Sequence, residues 1–275
     1  MFRYIKMDLY KLLKSKFFYI CMIVFLALIA LSVVEIRDIE KDVLAGREVQ
    51  ISDSDTYYTT GIGPNAYKVV GDGINLKNLI NMTYGGNMML LMALITLVLL
   101  LCSDYSAGYI KNTIVIPKYR WYTNISKIVS AFIIMTAENI LAVFSYLWCI
   151  KFYFKSAAIG EVKGLGQYLA VEMILYLGLA ALFIFVCDLT QSKATGISLG
   201  VLVSCQLVGT LIMVLIGEVF NIKPKTTVKL IISFVQSDLM AGMSRSVCKE
   251  ALILGGVALL VYTTFANIVV SKKDY

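Results

Sequence analysis

Ser103–Lys127 reads SDYSAGYIKNTIVIPKYRWYTNISK, and the chain on both sides of it is almost purely apolar. The flanking runs, about 86–102 and 127–150, are each near the ~20 residues that cross a hydrocarbon layer at 1.5 Å per residue. Working outward, similar runs occupy roughly 17–36, 166–187, 195–217 and 251–270. The 275 residues are 59% hydrophobic and only 16% charged. A soluble domain has about 45–50% apolar and about 25% charged residues. The reading is therefore an all-α membrane protein with six transmembrane helices in one domain, 1–275.

The same inventory excludes several chemistries. There is no histidine, so HExxH zinc sites and Ser–His catalysis are ruled out. The six cysteines, at 21, 102, 149, 187, 205 and 248, have no paired spacing, and five lie in or beside apolar runs. They read as small apolar residues rather than a disulfide framework or metal site. No GxxxxGK[ST] occurs, so the chain has no P-loop of its own. The net charge of +7 fits lysines facing anionic lipid at membrane surfaces, and no nucleic-acid partner is expected.

Charge also suggests orientation. Arg3, Lys6, Lys11, Lys14 and Lys16 precede the first span. Lysine and arginine totals on the two sides are nearly equal, but one set lies in much shorter segments, and short segments decide topology. The expectation is N-in and C-in. All three prolines, Pro64, Pro117 and Pro224, fall between spans, so no span should be proline-kinked. The first span is expected to be an uncleaved signal-anchor, because its apolar run is long and lacks an A-x-A site. Outside, 37–85 carries acids and the turn-rich GIGPN and GDG, and is expected to be a small ordered ectodomain or flap. The apolar part of 218–250 is too short to span. It reads as a re-entrant or interfacial segment, or as a surface helix covering the spans.

Residues 1–16 form an amphipathic pattern, with Phe2, Ile5, Leu9, Leu12 and Leu13 on one face and Arg3, Lys11 and Lys14 on the other. Such a helix lies in the membrane plane. The 103–127 loop is expected on the same side. Asp104 and Ser106 can cap a short helix there, and Pro117 limits its far end. Lys111, Lys118, Arg120 and Lys127 are expected in solvent. Tyr109, Ile110, Ile114 and Ile116 offer an apolar surface with no membrane to enter, suited to a soluble partner.

In this order of elements the chain resembles the permease subunit of type-2 ATP-binding cassette exporters. Asp104-Tyr-Ser-Ala-Gly108, then Ile110, Lys111 and Asn112, then Pro117 and Arg120, is similar to that family's acidic-x-x-x-Gly-x-[IL]-[KR]-N…P…R pattern. The resemblance covers the whole chain. It implies a cytoplasmic coupling helix in 103–127 that sits in a cleft of a separate ATPase, with Asp104, Gly108, Tyr109, Ile110, Lys111, Ile114, Pro117 and Arg120 as the coupling residues. It implies a dimer of ATPase subunits that binds ATP and Mg, with no cofactor in this chain. It also implies a second permease, identical or a sister chain, in a bacterial plasma membrane. Drug or antimicrobial-peptide export is the activity it suggests.

Two acids fall inside spans. Glu138 is near the middle of the third, and Glu172 is about two turns into the fourth. A central carboxylate costs roughly 3 kcal/mol on insertion scales, so each is protonated or paired. Ala131, Met135, Glu138, Ala142 and Ser145 share a face that can pack on another helix. Glu138 is a pathway residue or a structural hydrogen-bonding one. Glu172 is an intramembrane polar candidate that could instead reach the outer interface. Gly196, Gly200 and Ser204 form a small-xxx-small row for close helix packing. In the resembled family the second and fifth spans flank the pathway, which makes Met88, Met89, Met92, Gln206 and Thr210 candidates for lining it.

Two rival classes fit the sequence less well. An intramembrane aspartyl protease needs two aspartates deep in spans, and Asp104 and Asp188 sit only at span ends. A channel or secondary transporter would be favoured by internal symmetry or broken spans, and the sequence displays neither.

Overall fold

The computed structural model describes residues 2–44, 73–106, 120–154, 160, 164–220, 229, 231–239 and 244–272. Among them the chain is helical, without a strand. The helices are α1 Phe2–Lys14, α2 Lys16–Leu44, α3 Leu76–Gly85, α4 Met88–Ser106, α5 Arg120–Phe152, α6 Leu165–Thr190, α7 Lys193–Ser204, α8 Leu207–Phe220, α9 Ile232–Asp238 and α10 Arg245–Lys272. Four of them, α2, α5, α6 and α10, are long and apolar enough to cross a membrane. The count rises to six if the bent pairs α3–α4 and α7–α8 are each one span.

α6 is the axis. It is apolar all round, the mark of a helix with protein on every side. Of its crossing window 56% is buried, against 39% for α2, 33% for α5 and 22% for α10. α10 lies along it so closely that a Cβ at Gly255 would meet the Ile174 backbone at 3.1 Å, and one at Gly178 would meet the Gly255 carbonyl oxygen at 3.0 Å. Large side chains on the far face of α10, among them Ile253, Val257, Leu260 and Phe265, are exposed. Small residues inside and large ones outside is the membrane pattern. Lipid is as apolar as leucine, so helices there associate by close packing.

The bends are the main departure from the sequence reading. The described helices contain no proline. The regions read as spans two and five are each a pair of helices bent by 56° between α3 and α4 and by 72° between α7 and α8. Both breaks are built alike. A non-glycine residue adopts the left-handed conformation, Asn87 at φ 53° and Gln206 at φ 59°. The N–H groups at each break fold back on the helix just ended: Gly86 to Met82 and Asn87 to Tyr84, Cys205 to Val201 and Gln206 to Val203. The next helix then starts from the Asn87 and Gln206 carbonyls, which accept from Leu91 and Thr210. These bonds satisfy part of the backbone at each turn.

Several boundaries move. α2 runs to Leu44, past the expected end at 36, and residues 45–72 of the 37–85 loop lie outside the described residues. Residues 76–85 of that loop form α3, packed inward through Leu79, Ile80 and Tyr84. Within 218–250, α9 is inserted rather than laid on the surface: Ser233, Phe234, Gln236 and Leu239 are all buried. The 103–127 interruption shrinks. α4 continues through Ser106, which places Asp104 and Ser106 in its last turn, and α5 begins at Arg120; the short helix expected after them lies outside the described residues.

α1 packs on the bundle through part of its surface and leaves apolar residues outside. Asp8 and Leu12 are buried, while Phe2 and Leu13 are exposed. α1 turns into α2 at Ser15, and the Tyr19 hydroxyl closes the corner by donating to the Leu13 carbonyl at 2.8 Å.

Candidate functional site

The first turns of α5, directly after residues 107–119, are a junction. Asn124 Nδ2 donates to Asn267 Oδ1 of α10 at 2.9 Å. Ser126 Oγ donates to Asp8 Oδ2 of α1 at 2.5 Å. Lys127 Nζ pairs with Asp188 Oδ1 of α6 at 2.6 Å. Three neighbouring side chains thus reach three different helices, because successive helical positions point about 100° apart. From the other stem, the Tyr105 hydroxyl at the end of α4 donates to the same Asp188 oxygen. Lys127 Nζ also lies 5.6 Å from the centre of the Tyr105 ring, within cation–π range.

Lys127 was expected in solvent, but it is only 8% exposed, and Asp188 is fully buried. A lysine that close to an apolar end is retained inside because it has a carboxylate to meet; an unpaired charge there would be costly. One turn away, Cys102 and Cys187 bring their sulfurs to 4.0 Å. All six cysteines are free thiols.

A second polar group lies deeper, beside the two breaks. Glu138 and Glu172 are both fully buried, so each is surrounded by protein. Tyr84 of α3 is close enough to interact with both carboxyls. Its hydroxyl donates to Asn139 Oδ1 at 2.7 Å, and its ring meets Tyr168 edge-on with centroids 5.5 Å apart. Glu172 has Tyr168 and Gln236 as its polar neighbours. None of the carboxyl oxygens of Glu138 and Glu172, the Tyr168 hydroxyl or the Gln236 amide atoms closes a hydrogen bond. The Asn87 side-chain oxygen at the first break is likewise buried and without a partner.

α9 brings Gln236 into this layer. Gln206, at the second break, donates its amide to Ser237 Oγ at 2.8 Å, and Phe234 packs against Gly209, where a Cβ would lie 2.9 Å from the ring. Sequence reasoning singled out Glu138, Glu172 and Gln206. It missed Tyr84, Tyr168, Asn139 and Gln236, which look like ordinary residues of apolar helices or loops until the breaks fold them inward.

The remaining candidates scatter. Met89 and Met92 are buried core residues and Met88 is half-buried. Thr210 is on the exposed side of α8, its hydroxyl donating to the Gln206 carbonyl at 2.9 Å. Gly196 and Gly200 face α4 and α6: a Cβ at Gly196 would lie 2.6 Å from Val98 Cγ1, and one at Gly200 would lie 3.6 Å from the Phe183 ring. Ser204, the third of that row, is buried beside the second break. Asp104 and Arg120 lie on the two helix ends that flank the loop. Gly108, Tyr109, Ile110, Lys111, Ile114 and Pro117 lie outside the described residues. No protein-family model matches this sequence, and no curated protein matches it.

Proposed function

We propose that this chain is the membrane-spanning subunit of a type-2 ATP-binding cassette exporter in a bacterial plasma membrane. It crosses six times with both ends inside, counting each bent pair as one span. The 103–127 stretch carries a cytoplasmic coupling helix. Two permease copies or sister chains form the pathway, and a separate pair of ATPase subunits holds ATP and Mg and performs the hydrolysis. The cargo is a peptide or an amphipathic drug.

The observation that carries this reading is the framing of residues 107–119. Tyr105 before them and Lys127 after them both bind Asp188 Oδ1. Ser126 ties the same place to α1. A loop that only joined two spans would need no such frame. A loop that transmits a push needs stems that cannot splay, and a buried ion pair joined by hydrogen bonds provides them.

A second reading is favoured by one observation. Breaks at matching places in spans two and five are the signature of transporters that bind ions or solutes at interrupted helices. On that reading the chain is a channel or secondary transporter that works without ATP.

Isolation of the tagged chain from its native membrane in mild detergent separates the two. The exporter reading expects a P-loop ATPase to co-purify in stoichiometric amount and the complex to hydrolyse ATP. A pure preparation of this chain alone, active in ion or solute flux without ATP, would establish the second reading instead.

A further inference from the structure

Two contacts join α4 to α6 at the end that carries Lys127. Tyr105 donates to Asp188. About one turn back along α4, Cys102 meets Cys187, the residue before Asp188, with the sulfurs 4.0 Å apart. Both cysteines are buried free thiols. They are 85 positions apart in the chain, so only the fold brings them together. Lys193, Lys127 and Asp188 are close enough to act on the Cys102 sulfur. α7 closes over the pair, where a Cβ at Gly196 would lie 3.2 Å from the Cys187 sulfur.

From this juxtaposition we infer that Cys102 and Cys187 are a redox-active dithiol, which a peroxide closes to a disulfide that bolts α4 to α6. A disulfide holds its sulfurs at about 2.05 Å, so closure asks for roughly 2 Å of approach, which two side chains can share. Hydrogen peroxide is small and uncharged, and both cysteines lie within about a turn of their helix ends. One sulfur attacks the peroxide; the O–O bond breaks, water leaves with the thiol proton, and a sulfenic acid remains. The second sulfur attacks the first, the S–O bond breaks, and a second water leaves with the second thiol proton. Each sulfur has then given one electron and the peroxide has taken two. A reduced small thiol reopens the bond by exchange. The bolt makes covalent what Tyr105 and Asp188 hold by a hydrogen bond, so the stem from which residues 107–119 leave α4 can no longer part from α6. The inference needs only the meeting of α4 and α6, and it stands under either transport reading.

The test is a hydrogen peroxide pulse on the purified full-length chain in phosphatidylcholine nanodiscs, quenched with N-ethylmaleimide and read by non-reducing peptide mass spectrometry and by thermal unfolding. The expected result is a peptide joining Cys102 to Cys187, reopened by dithiothreitol, and an unfolding midpoint several degrees above that of the reduced chain. The same linked peptide is expected from cells given the pulse and quenched in acid. Cys102→Ala should abolish both the link and the peroxide-dependent shift; Cys187→Ala is the equivalent probe should the first variant not fold. Cys205 is exposed and serves as the internal control, since accessibility alone would oxidise it first. The inference is overturned if peroxide modifies Cys205 while Cys102 and Cys187 stay reduced, if the link forms only after unfolding, if it leaves the midpoint unchanged, or if the shift persists without Cys102.

Discussion

At the scale of single residues, Lys127 and Asp188 carry the sharpest energetic claim. Removing one partner of a buried pair strands the other, at about 3–5 kcal/mol, whereas replacing both with apolar residues of similar size is often neutral. Lys127→Met should therefore lower stability by about 3–5 kcal/mol, and Lys127→Met with Asp188→Leu should recover most of the loss. Unfolding of the purified variants in micelles checks it. A single variant as stable as wild type would show that Lys127 is solvated after all. The sequence made both charges visible but not their meeting: they are 61 positions apart, on helices whose rotation no local pattern specifies. The intramembrane acids were legible for the opposite reason. A glutamate in an apolar run is conspicuous wherever it points, so Glu138 and Glu172 stood out, while their tyrosine and glutamine neighbours did not.

Helices are the next scale, and here the contact between α6 and α10 makes a clean comparison possible. Gly255 and Gly256 are adjacent, yet a Cβ at Gly255 would press on backbone at 3.1 Å while one at Gly256 would meet nothing within 4 Å. Backbone cannot step aside as a flexible side chain can. Gly255→Ala should cost about 1–3 kcal/mol through overpacking. Gly256→Ala should be neutral or gain up to about 1 kcal/mol from helix propensity. Thermal unfolding of the two variants decides it, and equal effects would contradict the packing described. Helix existence was readable from apolar length. The small-residue row of α7 was readable from its four-residue spacing, but not the partners it packs against, α4 and α6. The breaks were not readable, because the usual signal is proline, and these two turns are made by Asn87 and Gln206 in a conformation that costs an ordinary side chain roughly 1 kcal/mol or more and is held by tertiary contacts. The burial of Asp8 on α1 was not readable, because its partner Ser126 lies on a distant helix.

For the whole molecule, the all-helical, membrane-type architecture follows from composition and from the inside-out packing of α10, and both point the same way. With each bent pair taken as one crossing, the number is even and both chain ends share a side. That side holds α1, the stems of the 107–119 segment and the Tyr105–Asp188–Lys127 group. On this account the molecule has a braced end that takes up force and a polar interior where two spans are interrupted, joined by α6, which carries Asp188 at one end and Glu172 nearer the other. The central claim is that the braced end meets an ATPase. Ile110, replaced by a photo-crosslinking amino acid, reads this directly in intact cells. The account predicts a single major adduct whose partner carries a P-loop, lost when the neighbouring Ile114 is changed to Asp. Irradiation that joins residue 110 only to lipid or to another copy of this chain, with no P-loop protein in the adduct, would contradict it.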